Sequence, residues 1–531
     1  MTDALTRRDF VAGAAAAVTA MTASQEVRAD AKPGSSAKGW EYQSAGALVA
    51  ALARKQVSSL ELVNAAIARI EALDGDINAV VVRDFERAHE AARAADLALA
   101  RGERRPLLGL PMTVKEQFDV AGLPKTWGNP EFKDWRPNKD ALAVTRLKDA
   151  GAVILGKTNV AFMLGDFQTF NDVYGTTNNP WDTSRTPGGS SGGSAAALAA
   201  GFVSLELGAD LGGSLRIPAN FCGVYAHKPS LDVVPLRGGS PPRAPAWPVR
   251  SDPLMGNWSV AGPMARSAAD LALALDVLAG PDELSEGIAY KLALPPPRHD
   301  SLKGFRVLLL DEHPLLPIAA TVRGAIDGLG ERLAHSGCAV SRTSKLLPDL
   351  TKTAMTYRQL LLARITQDMS EEEQEHTRTT LRSFVADKDS VGSLSLQAML
   401  FDFRNWKRVS DTGGELLQQW RELFRSVDVL ICPVTPMPAF LHDHNDQMWK
   451  RWLSVDRKPL FYPELSHWMS IASLAGLPAT IAPIGLSDTG LPIGAQILGP
   501  YLEDRTTLAF AQMVEREYGG FVRPHRPTSS L

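Results

Sequence analysis

The sequence predicts an α/β fold in a single large domain, and three observations carry that prediction. The 531-residue chain is 45% apolar and 22% charged, the composition of a globular protein long enough for one large core. Helical, strand-like and again helical stretches alternate at 140–150, 152–156 and 159–164, the pattern of a sheet with crossover helices. Apolar runs such as LGLPMTV, VSLELGA, FRVLLLDE and VDVLICPV have the length of buried strands. A formal net charge of −3 gives no ground for a nucleic-acid partner or an anionic membrane surface. Cys222, Cys338 and Cys432 are isolated and make no CxxC pair, so neither a zinc site nor a disulfide framework is expected.

The N-terminus, TRRDFVAGAAAAVTAMTASQEVRADA, joins Arg7 and Arg8 to Phe10, an alanine-rich run, and Ala29-Asp30-Ala31 as an A-x-A cleavage pattern. Its uninterrupted apolar part, Val11 to Ala23, falls short of the ~20 residues that span a bilayer. Residues 1–31 are therefore predicted to be a twin-arginine (Tat) export signal, with the Tat machinery as a partner and the periplasm or the exterior as destination. An ordinary N-terminal segment is the alternative. Residues 32–41 would form a loose segment ahead of a domain covering 42–525.

Within that domain, Ser58 and Glu61 form a capping-box pattern, and Leu60, Val63, Ile67 and Ile70 recur at helical spacing, which predicts a helix over 59–73. A strand at Ala79–Val82 and an alanine-rich helix at Asp84–Arg101 follow. Leu107–Val114 is a predicted buried strand, broken only by Pro111, that delivers Lys115 at its end. A lysine at a strand end is ordinarily solvated, so its position alone assigns no chemistry. Asn178-Asn179-Pro180-Trp181 has turn composition, with Trp181 assigned to packing. After Ser230, SAADLALALDVLAG predicts a helix, and the link Pro295–Pro297 precedes the strand FRVLLLDE. The region 280–460 is mainly helical and carries Trp406, Trp420, Trp449 and Trp452, candidates for lining a cavity, although packing is the commoner role of such residues.

The stretch Pro187–Ser230 holds two glycine-flanked serine sites. Gly188, Gly189, Gly192 and Gly193 surround Ser190 and Ser191 just before an alanine run that predicts a helix closed by Gly201. Gly212 and Gly213 precede Ser214, and Pro218 is placed to open a short turn that Gly223 closes. Glycines let successive N–H groups converge, as an oxyanion hole requires, and Leu211, Gly212, Gly213 and Ser214 are the natural donors. Gly-Ser runs also make linkers, but linkers do not continue into LAAGFVSLELGADLGG. A phosphate-binding loop would need GK[ST] after the glycines, and neither site has the lysine.

Together with TVKEQFDVAGLPKTWGNP at 113–130, GKTNVAFM at 156–163, NNPWD at 178–182 and GLPATIAPIG…GLPIGAQILGP at 476–500, this stretch resembles the amidase signature family of serine hydrolases, over roughly Tyr42 to Tyr518. Small departures are Ala209 where threonine is frequent, His227 before Lys228, and Glu116 where aspartate is also common. The resemblance implies a central twisted mixed sheet covered by helices on both faces, with 280–460 as a variable specificity region. It implies Ser214 as nucleophile, Ser190 as a bridging serine preceded by a cis peptide from Gly189, and Lys115 as base. It also implies amide hydrolysis through an acyl-serine, with no metal and no cofactor.

An ordinary lysine titrates near ~10.4, so burial must lower Lys115, and the hydroxyls of Ser190 and Ser191 are expected to hold its neutral amine. Asp210 and Arg216 are expected to orient the loops, a surface ion pair being their other reading. The partner expected is a small-molecule amide, and a homodimer is compatible with the resemblance. Three other readings compete. Gly188–Gly192 also fits G-x-S-x-G, a nucleophile elbow that would recruit His442, His444 or His467. The chain also fits the glutaminase component of a transfer-RNA-dependent amidotransferase, or a binding protein that keeps the fold without catalysis. Within amides the sequence selects no class.

Overall fold

Eleven strands pair into one mixed sheet. The computed structural model describes residues 39–243, 258–382, 390–445 and 448–525. In chain order the strands are β1 (Val80–Arg83), β2 (Pro111–Lys115), β3 (Val153–Thr158), β4 (Phe170–Asn171), β5 (Gly175–Thr176), β6 (Leu205–Asp210), β7 (Tyr225–Lys228) and β8 (Val260–Ala265). They continue with β9 (Arg306–Leu309), β10 (Ala339–Ser341), β11 (Val429–Pro433), β12 (Trp452–Val455), β13 (Lys458–Phe461), β14 (Ala479–Leu486) and β15 (Pro492–Leu498). The large sheet has the order β1-β3-β2-β6-β8-β7-β14-β15-β11-β9-β10, while β4-β5 and β12-β13 are separate hairpins. β3, β2 and β6 run parallel, as do β11, β9 and β10, and the strands between them are antiparallel.

Strands β2, β6, β7, β8, β11 and β15 are buried along their whole length, which is what helices on both faces produce. One face packs under the helices Gly192–Ala199 and Arg216–Cys222, through Ala195, Leu198, Ile217 and Phe221. The other packs under Ala268–Leu278 and Asp504–Tyr518, through Leu271, Leu275, Leu508 and Phe510. Strand alternation sorts β6 accordingly: Leu205, Leu207 and Ala209 join the second core, which leaves Glu206, Gly208 and Asp210 to the face that carries the serine loops. Gly208 is needed there, because a Cβ would stand 2.6 Å from Leu215 Cδ2 and 3.2 Å from Ser191 Oγ.

Several elements differ from the sequence expectation for identifiable reasons. The Ser58–Glu61 capping box forms, but its helix runs on to Ile77 before Asn78 stops it in a left-handed conformation. Leu107–Leu110 is a turn, not strand: Gly109 has φ +83° and Leu110 N–H donates back to Leu107 O (3.0 Å), so β2 begins only at Pro111. No helix forms over 159–164. Asn159 Oδ1 takes the N–H of Val160 (2.9 Å) and Met163 turns left-handed, leaving a single 3-10 turn at Phe162–Leu164. Pro218 sits inside a helix that starts at Arg216, because the Asp210 carboxylate already takes the N–H groups of Leu215 (3.1 Å) and Arg216 (3.4 Å). Pro218 therefore costs no intrahelical bond.

Trp420 is fully buried with its Nε1–H on Thr353 Oγ1 (3.1 Å), Trp406 packs half-buried against the core, and Trp452 is exposed. Trp181 is half-buried and donates to Cys222 O (2.9 Å). The three cysteines are buried free thiols. The predicted export signal and residues 32–38 lie outside the described residues; from Glu41 onward the chain is tied down, with Arg266 Nη2 donating to Glu41 O (3.1 Å).

Candidate active site

Lys115 is the last residue of β2, level with Thr158 of β3, and is 1% exposed. Its Nζ donates to Ser190 Oγ at 2.8 Å and reaches Ala209 O at 3.5 Å. Burial pushes the ammonium down to about 7, against the opposing pull of Asp210 and Glu116. The Glu116 carboxylate is itself occupied, accepting from Thr126 N–H, from Trp127 N–H at 3.0 Å and from Tyr174 Oη at 3.1 Å.

Ser190 is buried and follows a cis peptide from Gly189, as the resemblance implied. A side chain at Gly189 would put Cβ 2.5 Å from Asp166 O and 2.8 Å from Gln168 N, so main chain approaches main chain here and only glycine fits. Ser191 behaves differently from expectation. Its hydroxyl donates to Ala209 O (3.3 Å) and not to Lys115, because as the residue that opens the helix Gly192–Ala199 it faces the end of β6. Ser191 and Lys115 thus share the Ala209 carbonyl, and one hydroxyl, that of Ser190, contacts the amine.

Ser214 is half-buried in the turn after β6. Its carbonyl accepts the N–H of Ser191 (3.2 Å), which ties the two serine loops together. Its Oγ makes no hydrogen bond among the described residues. Of the four predicted oxyanion donors, Gly213 has its N–H committed to Asp210 Oδ1 (2.9 Å), whereas the N–H groups of Leu211, Gly212 and Ser214 have no partner among the described residues. The Leu211 carbonyl is fixed by Tyr357 Oη (3.1 Å) and Ser473 Oγ (3.2 Å). A trans peptide then turns the Gly212 N–H to the opposite side of that anchored carbonyl.

Asp210 and Arg216 are not a surface pair; both side chains are completely buried. Arg216 Nη2 and Nε lie 2.9 and 3.0 Å from the two carboxylate oxygens, and its remaining N–H groups donate to Gln496 Oε1 (2.8 Å), Met469 O (3.1 Å) and Ser473 Oγ (2.9 Å). Burial alone would raise the Asp210 carboxyl, but the charge and hydrogen bonds of Arg216 and the Gly213 N–H bring it down to about 2. Lys228 is a second buried lysine of the motif, pushed down to about 7 by burial and by Arg216, with Nζ donating to Leu477 O (2.9 Å) and Pro229 O (3.0 Å).

Sequence reasoning missed Tyr357, Ser473 and Gln496. Gln496 lies in the block GLPIGAQILGP and was within reach, but Tyr357 comes from the divergent helical region, where nothing local marks it. Neither Ser190 nor Ser214 accepts or donates a hydrogen bond to a histidine among the described residues. His442 and His444 stand beside each other, with ring centroids 5.2 Å apart, and His444 stacks on Phe170.

A single domain built on a large mixed sheet, with a buried lysine bonded to a serine at its heart, defines a hydrolase that acts on amides. The chain belongs to the family described as Amidase, which matches residues 61–508. It is 34% identical over 499 residues to the amidase-type component of the glutamyl-tRNA(Gln) amidotransferase of Anaeromyxobacter sp. (strain K), covering 90% of this chain and 96% of that one. It is 32% identical over 511 residues to the fatty-acid amide hydrolase 2-A of Danio rerio, covering 91% and 90%. The crystal structure of a bacterial aryl acylamidase of the amidase signature family superposes with TM-score 0.74 at 23% identity, over 90% of this chain and 96% of that one, a likeness of fold.

Proposed function

We propose that this protein hydrolyses carboxylic amides to the acid and ammonia or an amine through an acyl-serine intermediate. The observation that carries the reading is the buried amine of Lys115, pushed down to about 7 and 2.8 Å from the Ser190 hydroxyl. Ser214 Oγ attacks the amide carbon and passes its proton to Ser190, whose own proton moves to neutral Lys115. The N–H groups of Leu211, Gly212 and Ser214 take the oxyanion, with Gly213 in the supporting role of holding Asp210 in place. The C–N bond then breaks as Lys115 returns the proton along the same path to the leaving nitrogen. Water, deprotonated by the same relay, frees the acid from Ser214.

A panel of primary, alkyl and aryl amides, scored by ammonia or amine release, tests this. Turnover that survives Ser214→Ala or Lys115→Ala would refute it. The histidine-dependent elbow makes the opposite prediction, loss of activity on changing His442, His444 or His467 with Lys115→Ala active. The likeness to the glutamyl-tRNA(Gln) amidotransferase component favours a second reading, a glutaminase that works with partner proteins. Co-purification with such partners and a strict preference for glutamine would select it. We further propose Tat export to the periplasm on the pattern Arg7-Arg8…Ala29-Asp30-Ala31; Arg7→Lys with Arg8→Lys would then hold the protein in the cytoplasm.

A further inference from the structure

Three aromatic nitrogens stand buried together without a hydrogen-bond partner among the described residues: His313 Nε2, His467 Nε2 and Trp468 Nε1. The residues are 5%, 1% and 0% exposed. Their rings touch, His313 lying against His467 at 5.8 Å between centroids and against Trp468 edge-on at 5.0 Å. His313 Nδ1 accepts the N–H of Leu315 (3.2 Å), which leaves the ring proton of the neutral imidazole on Nε2. Burial pushes His313 down to about 4, so it stays in that neutral form. Trp468 Nε1 is a donor only. Two N–H donors therefore meet at one buried place, and buried donors of this kind are ordinarily satisfied.

The cluster adjoins the Ser214 loop through two independent elements. Met469, next to Trp468, packs its side chain on Gly213, where a Cβ would come 2.8 Å from Met469 Cγ, and its carbonyl takes Arg216. On the helix Leu350–Ile365, Tyr357 holds the Leu211 carbonyl while its neighbour Arg358 lies close enough to His467 to disfavour a positive charge there. Each element thus reaches the serine loop with one residue and the cluster with the next. Donor groups beside a guanidinium call for an oxygen acceptor.

We propose that His313 and Trp468, with His467 beside them, hold an oxygen acceptor on the part of the substrate remote from the scissile amide. The preferred substrates are then amides whose acyl or amine portion carries an ether, carbonyl or hydroxyl oxygen several atoms from the reacting carbon. This rests on the amide-hydrolase reading above.

The test is a pair of amides that differ only in a chain oxygen against a methylene, compared as the ratio of their kcat/KM values. The ratio is internal to each preparation, so a partly misfolded variant does not distort it. A site built to hydrogen-bond a substrate group discriminates strongly against the analogue that lacks it, so a ratio of about 10 or more is expected in the parent enzyme for the best-placed oxygen. Trp468→Phe and, separately, His313→Phe keep the ring packing and remove the N–H; each is expected to bring the ratio close to one. A parent ratio near one for every oxygen position overturns the proposal and assigns the donors to ordered water. So does a ratio that survives both substitutions. Turnover without preference sinks this inference alone, whereas no turnover of any amide sinks the hydrolase reading and this inference with it.

Discussion

Asp210 and Arg216 face each other with no solvent contact, and the same carboxylate that binds the guanidinium also takes the N–H of Gly213. One ion pair therefore fixes the turn that presents Ser214. Breaking it leaves an uncompensated charge in the core, so Arg216→Met should lower stability by about 3–5 kcal/mol and abolish activity. Chemical denaturation measures the first. A variant of wild-type stability would show that the pair is dispensable.

Lys115 acts as a base only when neutral. Its conjugate acid is pushed down to about 7, so kcat/KM should climb as pH rises through about 7 and level off above it. An unfolded lysine keeps its proton to ~10.4, so between about 7 and 10 the unfolded chain binds more protons and this group adds stability as pH rises. A pH–rate profile with its acid limb displaced to about pH 10 would mean that the lysine is not the base.

Tyr357 Oη and Ser473 Oγ both hold the Leu211 carbonyl. Tyr357→Phe removes one of the two anchors and loosens the Gly212 N–H, so kcat should fall by about tenfold with KM little changed, the loss of roughly one hydrogen bond in the transition state. A rise in KM at constant kcat would place Tyr357 in substrate binding instead.

Gly189 admits no side chain, since a Cβ would meet the backbone oxygen of Asp166 at 2.5 Å. Gly189→Ala must displace either the Ser190 peptide or the 166–168 segment. Loss of more than about 99% of turnover in a protein that still folds is expected, by the same sensitivity of catalysis to small misplacement that makes an ångström cost about 10²-fold. Near-normal turnover would show that the close approach is not needed.

The serine loops, Lys115 and the Asp210–Arg216 pair are legible because their residue types are forced by local geometry: glycine where main chain meets main chain, and charge where the core must be neutralised. Helix 59–77 is legible from its capping box and periodicity. The 159–164 segment is not, because alanine, phenylalanine, methionine and leucine suit a helix and only the Asn159 side chain, bonding the N–H of Val160, redirects them. The sequence points Ser191 at the wrong acceptor for a similar reason: adjacency to Ser190 says nothing of which carbonyl its hydroxyl meets. Tyr357 is invisible, since its contact with Leu211 joins residues 146 apart in sequence.

Trapping the covalent intermediate tests the central claim most directly. A fluorophosphonate, or a slow amide substrate quenched in acid, should leave a single adduct on the peptide that contains Ser214, and Lys115→Ala should slow its formation by orders of magnitude. An adduct on any other residue, or labelling at an undiminished rate without Lys115, would contradict the account.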